Sequence, residues 1–74
     1  MNVEVRLFAT LREGRFVKQQ VSLAAPCPVR DLLLLLAIRE TEVFLCLVNG
    51  ENHKLDRTLA DNDVVSLFPA VGGG

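Results

Sequence analysis

The sequence predicts an α+β fold in which one main helix packs across a mixed sheet of four to five strands. Three features carry that expectation. Apolar and polar residues alternate through two early segments separated by a short connection, the mark of a half-buried antiparallel hairpin. A continuous apolar block, Leu32 to Ile38, then follows two prolines that suit the entry to a helix. Further short strand-like runs lead to a stop at Pro69.

Taken in order, residues 2–8 form the first strand, with Val3, Val5 and Leu7 on one face and Asn2, Glu4, Arg6 and Phe8 on the other. Ala9 to Gly14 is a polar connection, with Gly14 suited to a positive φ. The second strand runs from Phe16 to Leu23 and turns Val17, Val21 and Leu23 to one side. Pro26 and Pro28 end the hairpin. The helix is expected from about Val29 to about Arg39, with Asp31 near its positive end and Arg39 near its negative end. Leu32 to Leu36 is apolar all round, so periodicity does not pick its buried face, and a buried strand is the competing reading. Phe44 to Val48 is a third strand ended by Asn49-Gly50, and Glu51 to Leu55 is a short edge strand. Asn62 is placed to adopt a left-handed conformation before the last strand, Val64 to Phe68. A hairpin, a helix across it and then more strands is the order of a ubiquitin-like β-grasp roll. The domain is expected over residues 1–71, followed by a flexible tail, Gly72-Gly73-Gly74.

Composition narrows the function classes. The chain has 74 residues, half of them hydrophobic, and a formal charge of −1. No basic stripe is present to displace counterions from phosphates, which argues against nucleic acid as a partner. The longest apolar run is far below the roughly 20 residues that span a bilayer, so no membrane partner is expected. The N-terminus lacks the unbroken apolar core of a signal peptide, and the default location is cytoplasmic. Cys27, Cys46 and His53 make no metal-ligand pattern. Cys46 reads as inert core, Cys27 as a filler by the helix start, and His53 as a solvated edge residue. No Ser-His-Asp set, phosphate loop or carboxylate pair emerges, so independent catalysis is not expected.

The most specific feature is the tail. Three glycines after a proline-terminated strand read alone as either a frayed end or a functional terminus. The second pattern is aromatic. Alternation sends Phe8 and Phe68 to the sheet face opposite the core, where they read as an exposed docking patch or, through a twist or bulge, as core. Leu45 or Leu47 joins them from the third strand, and Pro69 follows.

Leu7-Phe8-Ala9-Thr10-Leu11-Arg12-Glu13, Val48-Asn49-Gly50-Glu51, Leu59-Ala60-Asp61-Asn62-Asp63 and Val65-Ser66-Leu67-Phe68-Pro69-Ala70-Val71 stand in order before the glycines. In these segments the chain resembles the small subunit of molybdopterin synthase and, more distantly, the sulfur carrier of thiamine biosynthesis (a MoaD/ThiS-like, ubiquitin-like family). The departures are Ala70 where a second proline is common, Asn62 where Gly is usual, and a short segment between helix and third strand.

The resemblance implies a sulfur carrier for molybdenum or tungsten pterin cofactor synthesis. An adenylating partner similar to ubiquitin-activating enzymes would use ATP to convert the Gly74 carboxylate into an acyl-adenylate. Sulfur from a persulfide donor would then displace AMP and leave a thiocarboxylate. The molybdopterin synthase large subunit would consume that sulfur, with Gly72 and Gly73 threading a channel and Phe8, Phe68, Leu47 and Pro69 docking. The carrier itself would bind no cofactor or metal. Physically, a carboxylate is a poor electrophile that adenylation activates, and glycines let backbone approach closely. Ordering such a tail costs about 1–2 kcal/mol per residue, which docking must offset. Sulfur delivery to thiamine or cysteine, a protein modifier joined to lysine through Gly74, and a purely binding module are the alternatives.

Overall fold

The computed structural model describes residues 1–70 and gives five strands and one helix: β1 (Asn2–Leu7), β2 (Lys18–Ser22), α1 (Val29–Leu35), β3 (Leu45–Val48), β4 (Glu51–Asn52) and β5 (Val64–Phe68). The glycine tail and the domain boundary expected at residue 71 lie outside the described residues. The sheet order is β2-β1-β5-β3-β4. β1 and β5 are parallel, and the other pairs are antiparallel. A parallel pair needs a long crossover, and the segment carrying α1, β3 and β4 provides it. This is the ubiquitin-like β-grasp roll.

Strand alternation builds the core. Val3, Val5 and Leu7 of β1, Val21 of β2, Cys46 and Val48 of β3, and Val65 and Leu67 of β5 are buried on one sheet face. Val29, Leu32 and Leu33 of α1 close that layer, with Ile38 and Leu59 at its margins. Register aligns the buried residues across strands, as in Val5 with Val65 and Leu67 with Cys46. No helix among the described residues is long and apolar enough to cross a membrane.

Several elements differ from the sequence reading. α1 is only seven residues, ending at Leu35 rather than near Arg39. It stops in a Schellman motif: the Ile38 N–H donates to the Leu33 carbonyl (2.9 Å) and the Ala37 N–H to that of Leu34 (3.1 Å). Ala37 takes the left-handed position with φ 56°, where glycine is the usual signal. Arg15 strengthens this end by donating from Nη2 to the Ala37 carbonyl (3.0 Å) and from Nε to that of Leu36 (3.5 Å). The apolar run resolves into buried Leu32 and Leu33, partly buried Leu36, and exposed Leu34 (77%) and Leu35 (61%).

Val17 was expected inward but is 57% exposed. It precedes β2, the edge strand beyond which no strand follows, and Phe16 packs against the core instead. The connection after β1 is a 3-10 turn, Ala9–Arg12, that buries Leu11 rather than a wholly polar loop. β4 spans two residues, shorter than expected, and lies at an edge. β5 has the bounds the sequence predicts.

Candidate functional site

The site forms where β1 and β5 end together. Because the two strands are parallel, Phe8 leaves β1 beside Phe68 at the end of β5. The Phe8 N–H donates to the Leu67 carbonyl (3.2 Å), and the Phe44 N–H to the Phe68 carbonyl (2.8 Å). These bonds extend the ladders on both sides of β5 and fix the backbone of three phenylalanines in a row. The Phe8 and Phe68 rings stack, with centroids 4.2 Å apart and planes 11° from parallel. Such a pair contributes about 0.5–1.5 kcal/mol beyond its buried area. The Arg12 guanidinium lies 5.3 Å from the Phe8 ring centroid, and its Nε donates to the Leu7 carbonyl (2.7 Å).

Beside the stack lies an apolar groove of about 350 Å³, bounded by Phe8, Ala9, Phe44, Leu45, Phe68 and Pro69. Phe44 is 75% exposed, which is unusual for so large an apolar ring outside a contact surface. Ala9 holds φ 52°, a conformation L-residues reach at a cost, and this bends the chain sharply after Phe8. A larger hollow, about 490 Å³, lies between α1 and the segment after it, remote in sequence from the end of β5.

Four residues expected to dock partners are Phe8, Phe68, Leu47 and Pro69. The structure brings Phe8, Phe68 and Pro69 to one groove. Leu47 lies on the same open face of β3, opposite Ser66 and outside the groove's lining. Leu45, which pairs with Phe68, lines the groove instead. Phe44 was read only as the first residue of a strand; the continuous apolar run Phe44 to Val48 leaves its facing open. Gly72, Gly73 and Gly74 lie outside the described residues. The last described residues, Pro69 and Ala70, border the groove.

The entry to β5 is held by a polar cluster. Asn62 adopts φ 69°, as its sequence position suggests. Buried Asp63 accepts from the Ala60 N–H (2.8 Å) and the Asn49 side-chain amide (2.9 Å), and the Asn49 carbonyl oxygen accepts from the Val64 N–H (2.9 Å). Burial alone would raise the Asp63 pKa; the hydrogen bonds from Ala60 and Asn49, with the charges of Arg57 and His53, outweigh it and hold the carboxyl below its ordinary value.

Neither thiol has the setting of a nucleophile. Burial raises the Cys46 pKa, and burial with the nearby Asp31 charge raises that of Cys27. His53 is half-buried rather than solvated, with Nε2 3.9 Å from Glu51. Among the described residues no three His, Cys, Asp or Glu side chains gather to hold a metal.

Comparisons with known proteins agree with this geometry. The ThiS family model matches residues 5–74. SAMP1 from Haloferax volcanii is 27% identical, with both chains covered in full and a TM-score of 0.78. A Pyrococcus furiosus protein assigned as molybdopterin converting factor subunit 1 is 29% identical over 96% of this chain and 99% of that one, with a TM-score of 0.75. A chain in the complex of subunits 1 and 2 of molybdopterin-converting factor from Helicobacter pylori is 29% identical over the full length of both, with a TM-score of 0.67. No curated protein matches at a significant level. A family match running from β1 through the final glycine, on a β-grasp roll, places the chain: it belongs to the ThiS family.

Proposed function

We propose that this protein is a sulfur carrier for molybdenum or tungsten pterin cofactor synthesis, working through the carboxylate of Gly74. The observation that carries the reading is the family match continuing through residue 74, in a chain that builds an apolar groove at the end of β5. Likeness to the molybdopterin converting factor proteins supports the pterin pathway over thiamine or cysteine synthesis.

In this reading, an adenylating enzyme docks the open sheet face and takes the glycines into its channel. The Gly74 carboxylate attacks the α-phosphate of ATP and releases pyrophosphate. The terminal sulfur of an enzyme persulfide attacks the acyl carbon and expels AMP. A second thiol then cleaves the resulting S–S bond, leaving the thiocarboxylate and a disulfide. The loaded carrier docks a synthase large subunit, where the thiocarboxylate acts as sulfur donor. Phe8, Phe68 and Pro69 supply apolar docking area, Phe44 adds to it, and Leu47 extends the same face. Docking has to offset the entropy of ordering the tail.

Incubation with the cognate activating enzyme, ATP and a persulfide source is expected to raise the intact mass by one sulfur-for-oxygen exchange. An unchanged mass with a demonstrably active enzyme overturns the proposal.

The likeness to SAMP1, described as a small archaeal modifier protein, favours one second reading: conjugation of Gly74 to lysines. Trypsin has its last site in the chain after Arg57, so a modified lysine would carry residues 58–74 as its remnant. Finding such branched peptides in cell extracts identifies a modifier.

A further inference from the structure

We infer that the partner surface received by this groove is an apolar side chain ringed by carboxylates, gripped by Arg12, Lys18 and Arg6. The inference rests on the proposed carrier function and specifies the chemistry of its docking partners.

Arg6 and Lys18 stand directly opposite each other on β1 and β2. Met1 and Leu23 exchange main-chain bonds at one end of this pair, and the Leu7 N–H donates to the Val17 carbonyl at the other. The hydrogen-bonded pairs are therefore the odd-numbered residues of β1. Arg6 and Lys18 form a non-hydrogen-bonded pair, whose Cα atoms lie only about 4.5 Å apart. Arg6 lies between buried Val5 and Leu7, and Lys18, paired across from it, stands three residues before buried Val21, so both project from the open face. Like charges placed opposite each other are destabilising. Arg6 directs its Nε to Glu4, but among the described residues neither Lys18 nor Arg12 has a carboxylate within ion-pair distance.

Phe8 follows Arg6 by two positions, just past the end of β1, and Arg12 lies over the Phe8 ring. Arg12 thus caps the aromatic stack, and Arg6, paired with Glu4, stands with Lys18 on the same open face, in a chain whose overall charge is −1. The other rim, Phe44 and Leu45, is uncharged. A carboxylate from a partner would relieve the Arg6–Lys18 repulsion and occupy the free nitrogens of Arg12. Three cations with an acid among them are too few to track a nucleic-acid backbone. A protein surface with an apolar anchor and acidic rim satisfies both halves of the site.

The test measures binding kinetics of the full chain to the source organism's adenylating enzyme and molybdopterin-converting-factor subunit 2 at 50 and 300 mM NaCl. Lys18→Glu and, separately, Arg12→Glu are expected to weaken binding about tenfold at low salt, mainly through a slower association rate, with a smaller deficit at high salt. Lys18 is exposed and makes no side-chain hydrogen bond among the described residues, so its variant keeps the fold and the test stands even if Arg12→Glu misfolds. Phe68→Ala is expected to speed dissociation at both salt concentrations. If the unaltered chain binds and Lys18→Glu binds equally well or more tightly, the acidic rim is refuted while the carrier function stands. If the unaltered chain binds neither protein, both fall.

Discussion

Asp63 shows how one side chain sets the start of the strand that carries the site. Its two oxygens accept from Ala60 and Asn49, and Asn49 in turn accepts from Val64, so a single carboxylate ties two turns to β5. Its folded pKa lies below the unfolded value of about 3.9. The ionised form therefore stabilises the fold fully above that value, and this contribution is lost as pH falls through the folded pKa. Asp63→Asn removes the charge and one acceptor, and is expected to cost about 1–3 kcal/mol at pH 7. Urea unfolding at pH 7 and pH 3 checks this: the gap between wild type and variant should narrow at the lower pH. A gap that widens in acid would contradict the assignment.

Among the elements, α1 is where sequence and structure diverge most. Its start was legible because Pro28 and Asp31 are strong local signals. Its end was not, because the left-handed turn residue is Ala37, and the carbonyls it leaves are met by Arg15 from a distant segment. The facing of Leu32 to Leu36 was equally hidden: when every side chain is apolar, only tertiary packing against the sheet's core face chooses the inward ones. β5, by contrast, alternates cleanly and ends at a proline, so its bounds were plain. The groove was half legible. Alternation put Phe8 and Phe68 on the open face, but the contributions of Phe44 and Leu45 depend on the β3–β5 register. Ala37→Gly relieves the positive φ without touching the core and is expected to add about 0.5–1 kcal/mol of stability, less than the full cost of a left-handed residue because glycine loses more entropy on folding. Thermal unfolding monitored by circular dichroism checks the direction, and a lower melting temperature would refute it.

At the scale of the whole molecule, stability and proposed activity reside in different parts of the chain. Among the described residues, Leu67 is the last of the buried core. Removing Gly73 and Gly74 is therefore expected to leave the urea midpoint unchanged while abolishing sulfur loading. A shifted midpoint would show that the tail also stabilises the domain, and retained loading would place the reactive group elsewhere.

The parallel pairing of β1 with β5 has a mechanical corollary. Traction on the final residues, as when a bound enzyme lets the tail go, enters a strand flanked on both sides, by β1 and β3. The load is shared along two ladders together instead of peeling a lone edge bond by bond. In the proposed carrier role, each handover would tug at the place where the domain is held on both sides.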